Sequence, residues 1–214
     1  SSGSGFAGII GSGYYLVATQ IFSIKSNIAI LFLSWLPIII LIFYKKLEFD
    51  NENIEYLNYN NINKQEFTLW IKKFIMPLLL VYFFEYSINL TTYVNLIKFG
   101  GKIYKSNVIF KSYYFTYEFG VLVSRSMKLI FPNIKPDVIW IFPILQALNL
   151  ISFTLFVNYN IIPNITLIFI LIFYEGMLGG LSYLFIFLKI KEIISKDKKE
   201  ICTSITTIGE VSGQ

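Results

Sequence analysis

The sequence has no histidine, one cysteine and few charges. Without His, and with only Cys202 to offer sulfur, zinc and haem sites built on those ligands are not expected. Cys202 has no partner in the chain, so no internal disulfide can form. No cofactor and no metal are expected. Asp, Glu, Lys and Arg make up 14% of the 214 residues, against roughly a quarter in a soluble domain. Catalytic signatures are missing too. There is no Gly-x-Ser-x-Gly elbow. Gly3 to Gly8 fits G-x-G-x-x-G in letters only, since no strand precedes it. Asp50, Asp137 and Asp197 all lie outside the apolar runs, so no aspartate pair is available for intramembrane proteolysis. An enzyme is not expected.

What is present is apolar. Hydrophobic residues make up 55% of the chain, and the mean hydropathy is +0.62. Residues 1–23, 26–44 and 138–174 contain no charge. Each run can hold a helix of about 20 residues, the length that crosses a bilayer. The pattern predicts an all-α, multi-pass transmembrane bundle. Six spans are expected, near 5–22, 27–43, 74–94, 113–129, 138–157 and 165–188, and a seventh helix begins near Ile201. Pro37 is expected to bend the second span. Gly3, Ala7 and Gly11, with Ser4, Gly8 and Ser12, give the first span small-xxx-small spacing, which lets another helix approach closely. A flexible linker is the alternative for that segment. The polar stretch 45–65 is the one candidate interdomain linker.

Alternating spans divide the cations unevenly. Thirteen of the 18 Lys and Arg residues fall on one side, in segments 45–73, 125–135 and 189–199. The positive-inside rule makes that side cytoplasmic. The sequon Asn164-Ile-Thr166 falls on the other side. The net charge of +5 is thus a matter of topology, because the cations flank spans rather than alternating with aromatics as a nucleic-acid surface requires. The expected partners are the lipid bilayer and a small polar solute, with protons, and no nucleic acid.

Glu85, Glu118 and Glu175 lie inside spans. Insertion scales charge roughly 2.5–3.5 kcal/mol for an Asp, Lys or Arg at a helix centre, so such groups face a polar cavity or a partner. Helical spacing groups Tyr82, Glu85, Asn89 and Thr92 on one face of the third span. Tyr114, Glu118 and Arg125 share a face of the fourth. Gln146 and Asn149 stand three apart on the fifth, and Glu175, Gly179, Ser182 and Tyr183 line the sixth, with Gly180 beside them. Four polar stripes suit a bundle around an aqueous path. Interhelical hydrogen bonding alone suits Gln146, Asn149 and Ser182 equally well, whereas Glu85 and Glu175 point to function because an ionisable group is a costly form of glue; Arg125 could snorkel to the interface.

Five segments resemble the battenin family of lysosomal and vacuolar membrane proteins. They are Ser1-Ser-Gly-Ser-Gly-Phe-Ala-Gly8, Val81-Tyr-Phe-Phe-Glu-Tyr-Ser-Ile-Asn89, Gly120-Val-Leu-Val-Ser-Arg-Ser126, Leu145-Gln-Ala-Leu-Asn149 and Tyr174-Glu-Gly-Met-Leu-Gly-Gly180. Their order matches the later half of that family's chain. The resemblance implies a major-facilitator-like fold. Residues 1–44 would then be the last two helices of the N-terminal half, 45–66 the cytoplasmic linker and 67–214 a truncated C-terminal half. It also implies a gating or packing role for Gly120, Arg125, Gly179 and Gly180, with Ser124 where gating loops usually carry Asp. Glu85, Asn89, Glu118, Gln146, Asn149, Glu175 and Tyr183 would bind substrate or proton. The function implied is secondary transport of a small polar metabolite, of the basic amino acid or glycerophosphodiester class, with a role in lysosomal pH homeostasis. The alternative is a membrane scaffold or trafficking regulator that acts through cytoplasmic loops 45–65 and 189–200. Because a major-facilitator site lies between two halves, residues 1–214 alone are expected to transport nothing.

Overall fold

The computed structural model describes residues 2–46, 62–100, 106–130, 138–159, 161 and 164–214. Among these, all regular structure is helical. Helix α1 (Ser2–Gln20) is followed by α2 (Ser26–Leu33) and α3 (Leu36–Lys46). A continuous helix covers 64–100. It consists of α4 (Lys64–Trp70), a π segment Ile71–Ile75, α5 (Met76–Ser87), a second π segment Ile88–Thr92, and α6 (Tyr93–Gly100). Then come α7 (Ser106–Ile130), α8 (Ile141–Asn158), α9 (Ile165–Ile193) and α10 (Lys196–Gly213).

Four of these stretches are long and apolar enough to cross a membrane: 26–43, 64–96, 141–158 and 165–193. Helices α1 and α7 complete the six expected spans in number but fall short of that criterion. Helix α7 carries Lys111, Glu118, Arg125 and Lys128. Its polarity is turned inward, because α7 packs along both α1 and α9. The outward faces are apolar: Ile144, Leu148, Ile170, Phe83 and Leu90 are all more than half exposed, as lipid contact requires.

Element ends differ from the sequence reading in three places. The second span is interrupted at Ser34 and Trp35. It stops at Leu33 and restarts at Leu36, and Pro37 sits in the first turn of α3, where its missing N–H leaves no hydrogen bond unmade. The third span begins ten residues early, because Asn63 and Glu66 form a capping box: the Asn63 side chain accepts from Gln65 N, and Glu66 accepts from Asn63 N. Lys64 to Glu66 are therefore helix; residues 47–61 of the expected linker lie outside the described residues. Segment 189–200 is likewise no loop. Helix α9 runs to Ile193 and α10 starts at Lys196, so only Ile194 and Ser195 separate them. Lys and Glu are good helix formers, so charge alone does not end a helix once it leaves the hydrocarbon.

Three apolar clusters order the bundle by depth. At the end where 64–100 begins and α9 ends, Trp70, Phe74, Leu78, Tyr82, Ile186, Ile190, Ile201 and Cys202 pack together. At the opposite end, Ile88, Tyr93, Leu96, Ile109, Tyr113, Phe153, Ile168 and Ile172 do so. Val81, Phe142 and Leu178 form a smaller cluster among α5, α8 and α9. The first of these ends holds Lys64, Lys72, Lys73, Lys128, Lys189, Lys191, Lys196, Lys198 and Lys199. There Lys198 Nζ lies 2.6 Å from Glu66 Oε2 and joins α10 to α4.

Glycines set the closest helix crossing. A β-carbon on Gly120 would fall on the Phe173 carbonyl, and one on Gly176 on the Tyr117 carbonyl. Helices α7 and α9 thus meet backbone to backbone, which only glycine allows. Gly5, Gly8 and Gly13 of α1 likewise face Leu122, Glu118 and Phe115 of α7 in antiparallel order.

Candidate functional site

Between the two end clusters lies a layer of buried polar side chains. Glu85 is 1% exposed, Glu175 and Gln146 are 0%, Asn149 is 4% and Asn89 is 5%. They come from α5, α9, α8 and the second π segment. Helix α5 places Glu85 by packing between α8 and α9.

The two carboxyl groups have the same arrangement. Glu85 Oε1 accepts a hydrogen bond from the Tyr117 hydroxyl of α7. Glu175 Oε2 accepts one from the Tyr93 hydroxyl of α6 at 2.8 Å. In each, the second oxygen, Glu85 Oε2 or Glu175 Oε1, has no protein partner. The same holds for Asn89 Oδ1 and for both amide atoms of Gln146 and of Asn149. Buried polar atoms are nearly always hydrogen-bonded, so several together without protein donors or acceptors mark a place built to meet something else. The hydroxyls nearby differ. Ser182 donates to Gly179 O at 2.8 Å and Ser124 to Val121 O at 2.9 Å, so each is satisfied within its own helix.

Gly179 makes room for the first carboxyl. A β-carbon there would fall on the Glu85 carboxylate. Gly180 does the same for Ser124. The π segment makes room for the second. A π turn holds about one more residue than an α turn. Tyr93, eight residues past Glu85, is thereby brought to the angular position that a straight helix gives at seven. Tyr93 is fully buried and reaches Glu175. The widened turn also frees a carbonyl: Asn89 O accepts from the Tyr114 hydroxyl at 3.4 Å.

A second polar group lies toward the lysine-rich end. Arg125 Nη2 donates to the Tyr82 hydroxyl at 3.0 Å, and the guanidinium stands 4.4 Å from the Tyr183 ring centroid. The Glu210 carboxylate of α10 lies near this pair.

A family model described as CLN3 protein matches residues 1–69 and 59–214, essentially the whole chain. The chain belongs to the CLN3, or battenin, family. It is 30% identical to Protein BTN1 of Kluyveromyces lactis and 29% to Protein BTN1 of Saccharomyces cerevisiae, in each case over 100% of this chain and 59% or 62% of the relative. It is 34% identical to Battenin of Canis lupus familiaris over 68% of this chain and 32% of that protein. The chain thus spans about three-fifths or less of the curated relatives it matches. No solved structure matches it. Family and apolar helices together make this a multi-pass membrane protein.

Five of the residues picked out in the battenin-family chain by sequence fall in the central layer: Glu85, Asn89, Gln146, Asn149 and Glu175. Tyr183 belongs to the Arg125 group instead. Glu118 is in neither. It is half-buried and rests against Gly8 of α1. Tyr117, not Tyr114, meets Glu85. Gly120 and Gly180 are packing positions, and Gly179 borders the carboxyl. Tyr93, Tyr117 and Glu210 were not picked out by sequence. Tyr117 had a signal, since Gly120 lies three residues on and marks the face of closest approach. Glu210 had none, because its helix was read as barely begun.

Proposed function

We propose that the full-length protein is a secondary transporter of a small polar metabolite, of the basic amino acid or glycerophosphodiester class, in the lysosomal or vacuolar membrane. The observation that carries this reading is the central layer: two carboxyl groups and three amides, buried at mid-depth on adjacent helices, with hydrogen-bonding atoms the protein does not use. Carboxylates bind cations and protons, and amides bind polar groups of either kind. Apolar clusters above and below suit a site reached from one side at a time, as halves rock about it. Glu85 and Glu175 bind the coupling proton or a cationic group, and Asn89, Gln146 and Asn149 shape the pocket. The lysine-rich end is cytoplasmic, and transport bears on lysosomal pH.

The test is solute flux into vesicles that carry the full-length protein, with and without a pH gradient, across basic amino acids and glycerophosphodiesters. Gradient-dependent uptake of one class supports the reading. Absence of uptake across both classes overturns it and shifts weight to a scaffold role. The phenol partners give a finer check. Tyr93→Phe keeps the ring in its cluster and removes the donor to Glu175. Hydrogen bonds to charged groups contribute about 1.5–3 kcal/mol, so the initial rate is expected to fall about tenfold or more at matched folded yield. An unchanged rate would argue that Glu175 takes no part.

A further inference from the structure

The lysine-rich end carries a hollow of about 330 Å³ on the outside of the bundle, walled by the first π segment, residues 138–140 leading into α8, and the end of α9. Two cations flank it, Lys73 and Lys189. Its floor is Phe74, which is buried, and its rim is Val138, Trp140 and Ile193, each about half exposed. Phe74 belongs to the apolar cluster that separates this end from Glu85 and Glu175, so the hollow is no part of the central layer.

Its chemistry is mixed in a particular way. The rim is too apolar for a site that faces only water, and the two ammonium groups are out of place in hydrocarbon. A ligand with an anionic head and an apolar body satisfies both. Glu192 Oε2 lies 3.2 Å from Lys189 Nζ, and Lys73 is exposed. The volume stands at the lower end for small-molecule sites, enough for a headgroup but not for acyl chains. Trp140 and the lysines mark this depth as the membrane interface, where basic pockets between spanning helices hold lipid headgroups. We propose that this hollow binds the headgroup of an anionic phospholipid from the leaflet at the lysine-rich end, with the acyl chains against Val138, Trp140 and Ile193. The proposal does not rest on transport.

The experiment uses full-length protein in nanodiscs of phosphatidylcholine alone or with a minor share of phosphatidylglycerol, with retained lipid counted by native mass spectrometry and melting temperature followed in parallel. Phosphatidylglycerol is expected to be retained in preference and to raise the melting temperature. Juxtamembrane cations contribute about 1 kcal/mol each, so Lys73→Gln or Lys189→Gln should weaken retention about fivefold, and the pair roughly thirtyfold. The paired arginine variant should keep it, which separates loss of charge from loss of fold. Lys72→Gln with Lys196→Gln removes equal charge from the same end, outside the hollow, and should change retention little. An equal fall in that control would mean diffuse surface charge and overturn the site. Inorganic phosphate that stabilises the protein in phosphatidylcholine as well as phosphatidylglycerol does would overturn the lipid as ligand.

Discussion

Gly176→Val is expected to prevent stable folding, with little monodisperse protein recovered in detergent. A β-carbon at 176 would fall on the Tyr117 carbonyl, 3.0 Å from that carbonyl's carbon and 3.2 Å from Val121 N. These are backbone atoms of α7, which cannot rotate away as a side chain can. Helices α7 and α9 share the longest contact in the bundle, and it is opposed from both sides, since Gly120 meets the Phe173 carbonyl and Met177 N. Overpacking a core typically costs 1–3 kcal/mol, and here rigid backbone on both helices places the cost at about the top of that range or above. Gly120→Val should behave alike, and alanine at either site should be milder but still destabilising. Ile170→Val, on the lipid-facing side of the same helix, should stay within about 0.5 kcal/mol. Size-exclusion profile and melting temperature would settle it. A well-folded Gly176→Val variant with an unchanged melting temperature would show that the α7–α9 crossing is looser than described.

Those two glycines also show what the sequence could convey. Tyr174-Glu-Gly-Met-Leu-Gly-Gly180 was legible as a resemblance, and small residues beside an intramembrane Glu are legible as a close approach. Which helix approaches is not, because nothing in one helix's pattern names its partner. Spans were legible because lipid forces apolar residues into runs of fixed length. Their ends were less so where polarity stood in for loop: Asn63-Lys-Gln-Glu66 spells a capping box, yet its Lys and Gln read as linker. One residue was missed where backbone geometry departs from 3.6 per turn. Thr92 is buried as Glu85 and Asn89 are, and past the π segment Ile88–Thr92 Tyr93 reaches Glu175. A π turn has no composition signal to read, so Tyr93 could not be found without coordinates.

Glu85→Gln and Glu175→Gln are expected to lower flux by roughly 10- to 100-fold while folded yield holds. The range is that of one charge-assisted hydrogen bond between the carboxylate and the transported cation, about 1.5–3 kcal/mol at 1.4 kcal/mol per tenfold. Glutamine has nearly the shape of glutamate, and its carbonyl can still accept from Tyr117 or Tyr93, so the contacts that hold α5 to α7 and α6 to α9 survive. What it cannot do is take up and release a proton or balance a cation. Stability therefore should not fall, and can rise, since a neutral amide is easier to bury than an ionisable group. Folding alone then does not distinguish a packing role from a functional one; flux does. If these carboxyls only join helices, both variants transport like wild type at matched yield. If they carry the proton, the surviving flux no longer follows the imposed pH gradient. If they hold a cationic substrate group, the gradient still drives the residual flux, but the concentration needed for half-maximal uptake rises. Asn89→Ala sharpens the comparison. It trims the pocket without touching either carboxyl, so it should raise that concentration and leave the pH dependence in place.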